Sequence, residues 1–521
     1  MSEITSAART ARTQTVDGVL RRSARRTPDR PALVVGADAP VTWTYAELDR
    51  AVTRAARALR ARGLGRGDRV AAYGRNSDAY LIAYLACARA GLVHVPVNFA
   101  LTGDELRYLV EQSGASAVLV DPALRAQYDA AGLAVADVLP LRDAEGSLLD
   151  LARAGTDEAR DDGDVLPAGE PPVDADDLVQ LLYTSGTTSR PKGAMMTHGA
   201  LLAEYTSAIT ALDLAAHDAP LHPMPLYHSA QMHVFLLPYL AVGATNHLIE
   251  APDVPTMLRL VEERRLGALF LAPTVWVPLA GHPDLGTRDL SSLRKAFYGA
   301  SIMPVPVLQR LQEKLPGLGF ANCFGQSEIG PLATVLRPEE HAERPDSCGR
   351  AVLNVELRVV DEHGVEVAPG EPGEVVYRSP QLCTGYWDDP AATAEAFRDG
   401  WFHSGDLVRV DAEGYLTVVD RIKDVINTGG VLVASREVED ALYTHPDVAE
   451  VAVVGTPDER WIEAVTAHVV LRDGAEADEA ALVAHARERL AGFKVPKRVL
   501  LVDALPRNAS GKLLKRVLRD G

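Results

Sequence analysis

At 521 residues the chain exceeds what a single hydrophobic core usually supports. Its 47% hydrophobic and 24% charged residues are the balance of a folded protein of two or more domains, not a disordered one. A net charge of −18 excludes a general nucleic-acid or anionic-membrane binder, whose surface needs an excess of Lys and Arg, yet leaves room for a locally basic pocket.

In chain order, MSEITSAARTARTQT carries no apolar h-region and reads as a short mobile tail rather than a secretory signal. WTYAELDRAVTRAARALRARG has apolar residues three and four apart and predicts a helix ended by glycine. GLGRGDRV (63–70) follows that helix and is better taken as a C-cap turn than as a dinucleotide fingerprint, which needs a preceding strand. RVAAY predicts a strand, SDAYLIAYLACARAG a helix and LVHVPVN a strand; ASAVLVD, DLVQLLY, GALFLA and RKAFYGA are further short strands. Strands alternating with helices imply right-handed βαβ crossovers and largely parallel sheet. Residues 219–249 contain no Asp, Glu, Lys or Arg, but Pro223, Pro225, Pro238 and Gly243 break the run, so a buried core element is expected and no membrane span.

Beyond residue 350 the strands VELRVVD, GEVVYRS, LVRVD and YLTVVD crowd together between short turns, predicting a β-rich, barrel-like antiparallel module. A compact α+β region follows Asp420. The fold class is therefore α/β: a large domain over 1–420 and a small mobile domain over 421–521, hinged at the charged DRIKD break, 421–424. The four cysteines, Cys87, Cys323, Cys348 and Cys383, lack CxxC spacing and are expected as buried free thiols in a reducing cytoplasm.

YTSGTTSRPKG (183–193) directly follows the strand DLVQLLY. Small hydroxyl residues, glycines and one lysine can wrap a polyphosphate with backbone N–H groups, hydroxyls and a cation. It is not a Walker loop, because glycine rather than Ser/Thr follows the lysine. On composition alone, a Ser/Thr-rich surface loop stands equal beside that reading.

YTSGTTSRPKG resembles the phosphate loop of the adenylate-forming superfamily: acyl-CoA synthetases, peptide-synthetase adenylation domains and luciferases. NCFGQSE (322–328), WFHSGDL (401–407), DRIKDVINTGG (420–430) and PRNASGK (506–512) follow in that family's order, with PLYHSA and YGAS between. SPQLCTGYW and LAGFKVPKRV resemble free-standing bacterial fatty-acid–CoA ligases most.

The resemblance implies roles for individual residues. Thr184, Ser185, Gly186, Thr187, Thr188 and Lys192 would hold the β- and γ-phosphates of ATP, and Glu328 would hold Mg2+ on them. Ser327 would bond the α-phosphate, while Phe324 and Gly299, Ala300 and Ser301 would frame the adenine. Asp406 would take the ribose hydroxyls and Arg421 would contact the nucleotide. Lys512 would stabilise the adenylation transition state. Lys423 marks the hinge of a domain swing that brings Gly429 and Gly430 to the pantetheine arm of coenzyme A. His228 would lie at the mouth of the acyl pocket; with His222 and His233 it might suggest a metal, but HExxH spacing is missing.

Tyr227–His228–Ser229 stands where amino-acid-activating relatives carry an aspartate, which disfavours amino acids. Gly325 stands where acetate-type enzymes carry tryptophan, implying room for a larger acid beside Val275, Trp276, Tyr298 and Ile329. The expected substrate is a medium to long, or bulky aromatic or polycyclic, carboxylic acid. The chain departs from close relatives at Asn427 and at Val431–Leu432, where lysine and Glu-Asn are usual. This leaves two alternatives open beside an ordinary ligase: an enzyme that only thioesterifies an adenylate made by an adenylating partner enzyme, or one that loads a carrier protein. An oxidative, luciferase-like enzyme and a non-catalytic homologue are rivals; retained Lys512, Glu328 and Asp406 argue against the latter. Monomer and homodimer are equally compatible with the sequence.

Overall fold

The computed structural model describes residues 8, 11–154, 165–167, 169–184, 190–301, 303–429, 431–458, 460–507 and 513–520. Two sheets built mainly of parallel strands dominate the larger part. The first has six strands in the order Asp137–Pro140, Ala117–Val120, Arg69–Tyr73, Val93–Val97, Leu178–Thr184 and Lys192–Thr197. All its pairings are parallel except the last, where the chain returns on itself. The second has nine strands. Its middle, from Gly319–Phe324 through Lys295–Gly299, Ala268–Leu271, Pro220–His222 and Asn246–Leu248 to Pro31–Val35, is parallel, and its edges are antiparallel.

Local chemistry accounts for the helices between them. Tyr45–Ala61 opens on a capping box, Thr44 accepting from the Glu47 amide while Glu47 reaches back to the Thr44 amide. Asp78–Ala90 starts on the Ser77 hydroxyl and ends at the left-handed Gly91. All its residues are buried, which suits a segment apolar on every side. It carries two charged residues, Asp78 and Arg89, and the Arg89 guanidinium donates to Asp17 Oδ1 at 2.7 Å and Asp49 Oδ1 at 2.5 Å, fastening the helix Asp17–Arg26 and the helix Tyr45–Ala61 to its end.

The β-rich module is an antiparallel sheet of Glu356–Val360, Gly373–Arg378, Trp401–Val410, Phe397–Arg398 and Leu416–Arg421. The run WFHSGDL is part of a ten-residue strand here, not a loop. The small C-terminal domain folds the strands Ile426–Thr428, Val431–Val433, Val448–Asp458, Ile462–Leu471 and Arg498–Leu501 around a core of its own, with the helices Ser435–Tyr443 and Glu479–Arg487 packed on it. All four cysteines are buried and free. Among the described residues no helix is long and apolar enough to cross a membrane.

The charge-free stretch 219–249 is core. Its histidines serve as fixed hydrogen-bond posts: His222 lies between Asn246 Oδ1 (2.9 Å) and the Gln231 amide (2.8 Å), and His233 between Gln180 Oε1 (2.7 Å) and the Tyr205 hydroxyl (3.0 Å). Burial holds His94, His222 and His233 down at about 3.

Two outcomes follow. Arg89→Ala takes the guanidinium from the buried Asp17 and the half-buried Asp49 and should cost about 3–5 kcal/mol, read as a lower thermal midpoint. The buried histidines stay neutral in the fold but protonate near 6.5 once unfolded, so stability is present above that pH and is lost as pH falls from about 6.5 toward 3. The thermal midpoint should therefore drop on acidification below pH 6.5, and His233→Gln should flatten that slope by about one proton, or ~1.4 kcal/mol per pH unit. An unchanged slope would show that His233 titrates normally in the fold.

Candidate active site

The strand Leu178–Thr184 and its antiparallel return Lys192–Thr197 place Thr184 opposite Lys192. Sequence patterning did not foresee that return strand. The Thr184 hydroxyl donates to Glu328 Oε1 at 3.1 Å, joining residues 144 apart. Glu328 sits in a short turn, Ser327–Ile329, just after the strand Gly319–Phe324, and is only 7% exposed. Ser327 Oγ meets Ser229 Oγ at 2.9 Å, so the PLYHSA block touches the same turn. His228, beside it, is exposed.

One residue at this cluster had no role in the sequence reading. The Tyr386 hydroxyl donates to Glu328 Oε1 at 3.1 Å, and its ring lies 5.3 Å from Lys192 Nζ. Burial, with the nearby Glu328 charge adding to it, pushes the phenol far above its usual range, so it remains a donor. Its signal was in SPQLCTGYW, but a tyrosine there is indistinguishable by pattern from a core aromatic.

A second pole lies on the antiparallel module. Asp406 is 2% exposed and registers opposite Arg421, whose Nε is 2.7 Å from its Oδ1. The two residues expected to contact a nucleotide thus first hold each other. Gln326 Nε2 reaches Ser404 O at 3.5 Å, linking this strand to the Glu328 turn. Gly299, Ala300 and Ser301 end a parallel strand, where open α/β sheets form their ligand crevices. A Cβ on Gly299 would lie 2.2 Å from Cys323 O, so glycine lets the two strands approach. Ala300, with φ of 64°, and Ser301 are exposed beyond it, and Phe324 is half-buried.

The donor set suits a magnesium nucleotide. A buried carboxylate, a hydroxyl and an ammonium meet in one place, and Mg2+ takes one or two carboxylates together with substrate phosphates rather than an all-protein cage. Ser185, Gly186, Thr187, Thr188, Gly430 and Lys512 lie outside the described residues.

The expected acyl lining needs correction at one position. Gly325, with φ of 154°, does not open a hole: a Cβ there would lie 2.0 Å from Pro331 O and 2.8 Å from Ala333 N, so glycine is required by backbone approach. Trp276 is fully buried, its Nε1 donating to Phe297 O at 3.1 Å, and the Tyr298 hydroxyl bonds His341 Nε2 at 3.0 Å. Both are core members held by protein partners, as is Ile329; Val275 is half-buried beside them. Gly429 likewise has a local reason: it adopts φ of 65° in the turn between Ile426–Thr428 and Val431–Val433, its N–H donating to Trp461 O. Lys423 lies in the turn Ile422–Asp424, directly after the strand Leu416–Arg421.

Residues 20–387 match the AMP-binding enzyme family and residues 437–512 match the AMP-binding enzyme C-terminal domain. The chain is 42% identical to feruloyl-CoA synthase of Amycolatopsis sp. over 498 residues, covering 96% of this chain and 97% of that protein. It is 36% identical to indoleacetate–CoA ligase of Aromatoleum aromaticum over 478 residues, 92% of each. It superposes on ATP-bound MatB from Rhodopseudomonas palustris with a TM-score of 0.85 at 33% identity, covering 97% of this chain and 99% of that one. The chain belongs to the AMP-binding enzyme family, within the adenylate-forming superfamily.

Proposed function

We propose that this acid–thiol ligase acts on a bulky carboxylic acid, aromatic before long-chain. The chain is an acyl-CoA ligase that activates an acid with ATP, in the presence of Mg2+, and transfers the acyl group to coenzyme A. The observation that carries the mechanistic reading is the meeting of Thr184 with Glu328 beside Lys192 and Tyr386. A cation, a carboxylate and hydroxyl donors gathered at one hairpin form the phosphate end of a nucleotide site, and Asp406 with Arg421 forms its ribose end.

In the first half-reaction a carboxylate oxygen of the acid attacks the α-phosphorus, and the bond to the bridging oxygen breaks so that pyrophosphate departs. Lys192, Thr184 and the loop Ser185, Gly186, Thr187 and Thr188 hold the departing phosphates; Ser327 holds the α-phosphate. Glu328 would hold Mg2+, which when bound would supply neutralisation of the charge that builds on the leaving group. Lys512 stabilises the oxygens between acid and α-phosphate. In the second, the coenzyme A sulfur, its proton released to solvent, attacks the acyl carbon and the bond to AMP breaks. Between the halves the domain 421–521 turns about Lys423 at 421–424, exchanging the Lys512 loop for the Gly429–Gly430 turn, with His228 at the acyl mouth. Two relatives, feruloyl-CoA synthase and indoleacetate–CoA ligase, are named for aromatic acids, which supports an aromatic acid here. We place the reaction in the cytoplasm.

A second reading rests on the hairpin after the hinge, where Val431 is 46% and Leu432 68% exposed in place of polar residues. There the enzyme would thioesterify an adenylate supplied by a partner.

A paired assay tests both. One arm supplies ATP, Mg2+ and a panel of hydroxycinnamic, arylacetic and straight-chain acids, and follows pyrophosphate; the other supplies pre-made acyl adenylate and coenzyme A. The aromatic acids should give the highest kcat/KM, and a preference for acetate-sized acids would overturn the substrate class. Lys512→Ala should slow the first arm by about 100- to 1,000-fold and spare the second. Equal loss in both would refute the division of labour, while wild-type activity in the second arm alone would establish the partner-dependent reading.

A further inference from the structure

Lys192 and Glu328 carry opposite charges and both meet the Tyr386 side chain, yet among the described residues no ion pair joins them. Left adjacent, such groups neutralise each other, and a ligand must then break the pair before it can use either charge. Tyr386 stands between them and serves each with a different part of one side chain. Its hydroxyl donates to Glu328 Oε1, the oxygen that also accepts from Thr184, and its ring presents its face to the Lys192 ammonium at 5.3 Å. A neutral donor satisfies a carboxylate without cancelling its charge, and a ring quadrupole holds a cation within about 6 Å without a counter-ion.

Its backbone is fixed for that task. Tyr386 N donates to Thr393 Oγ1 at 2.9 Å, while on either side Met195 N donates to Gly385 O at 2.9 Å and Trp387 N donates to Gly193 O at 2.8 Å. The segment is thus bonded into the very strand, Lys192–Thr197, that carries the lysine.

We infer that Tyr386 is a positioning residue that keeps Lys192 and Glu328 apart and unneutralised, so that the lysine is available to the polyphosphate of the incoming nucleotide and the carboxylate to the Mg2+ that accompanies it. The inference rests on the reading of Lys192 and Glu328 as the phosphate end of the site. Removing the hydroxyl frees the carboxylate to turn to the lysine; removing the ring as well frees the lysine to meet it.

The test is nucleotide binding to the full chain by titration calorimetry, with Mg2+ and without acid, comparing ATP with AMP, which lacks the β- and γ-phosphates. Tyr386→Phe should weaken ATP about tenfold, the scale of one lost hydrogen bond to a charged group, and leave AMP unchanged. Tyr386→Leu should weaken ATP by about a further threefold, again without touching AMP. In the Tyr386→Phe background, Glu328→Gln, which cannot pair with the lysine, should cost ATP affinity less than it does in the wild type. Unchanged ATP binding in Tyr386→Phe and Tyr386→Leu, while Lys192→Ala loses it, would overturn the role of Tyr386. Equal loss of ATP and AMP would overturn it too, leaving a merely structural tyrosine. If Lys192→Ala itself leaves ATP binding intact, the phosphate-end reading falls, and the inference with it.

Discussion

The site depends on one strap of chain, residues 379–387, that ties together two sheets with no strand in common. Trp387 N donates to Gly193 O and Thr384 N to Met195 O, at 2.8 and 3.0 Å, bonding the strap to the last strand of the six-stranded sheet. Cys383 N donates to Glu328 O at 2.8 Å, bonding it to the turn that ends a central strand of the nine-stranded sheet. The strap itself leaves the antiparallel module, just after the strand Gly373–Arg378. Lys192 belongs to one sheet, Glu328 to the other and Tyr386 to the strap, so their mutual placement is set by backbone hydrogen bonds instead of by long, flexible side chains. The phosphate end proposed for this cluster would need that rigidity, because electrostatic stabilisation acts only where the charges are already in position.

Beneath the strap lies a second constraint of the same kind. Gln381 Nε2 donates to Glu204 Oε2 at 2.6 Å and lies 3.1 and 3.0 Å from the carbonyls of Ile329 and Leu332, while its Oε1 accepts from Ser207 at 2.6 Å. Both Glu204 oxygens are 3.3 Å from Leu332 N. Burial pushes the Glu204 carboxyl well up, with the Leu332 amide working against that shift. An unsatisfied polar group at this depth would cost more than an apolar one gains, and so these groups specify one arrangement of the 329–332 turn and penalise others. The close contact of Gly325 with Pro331 and Ala333 belongs to the same tight turn.

Much of this was legible in the sequence. Period and end signals placed the helices Tyr45–Ala61 and Asp78–Ala90 and the parallel strands beside them, because each carries its own cap or its own apolar run. The ordered motifs located Thr184, Lys192, Glu328, Asp406 and Arg421. What remained illegible depends on meetings across long separations. Nothing local marks Tyr386 as the partner of residues 58 and 194 positions away, since a half-buried tyrosine in a loop has the same pattern whatever it touches. The reason for Gly325 was misread because a missing side chain looks like space in a sequence, whereas here it marks backbone contact. The pairing of Asp406 with Arg421 was hidden because strand register between residues 15 apart is not written in either segment alone.

The departures at Asn427 and Val431–Leu432 can be separated from the fold by the same reasoning. The hairpin that carries them is held by its backbone: Asn427 N donates to Glu463 Oε2 at 2.6 Å, Gly429 N to Trp461 O at 2.5 Å, and Thr428 registers with Ile462 on the neighbouring strand. None of these bonds uses the side chain of Val431 or Leu432, and both side chains are exposed. Exchanging them for polar residues therefore leaves the domain's core and ladder intact, and neither exchange is constrained by stability. Whatever they change, they change at the exposed surface of the hairpin, apart from the contacts that hold Lys192, Glu328 and Tyr386 together.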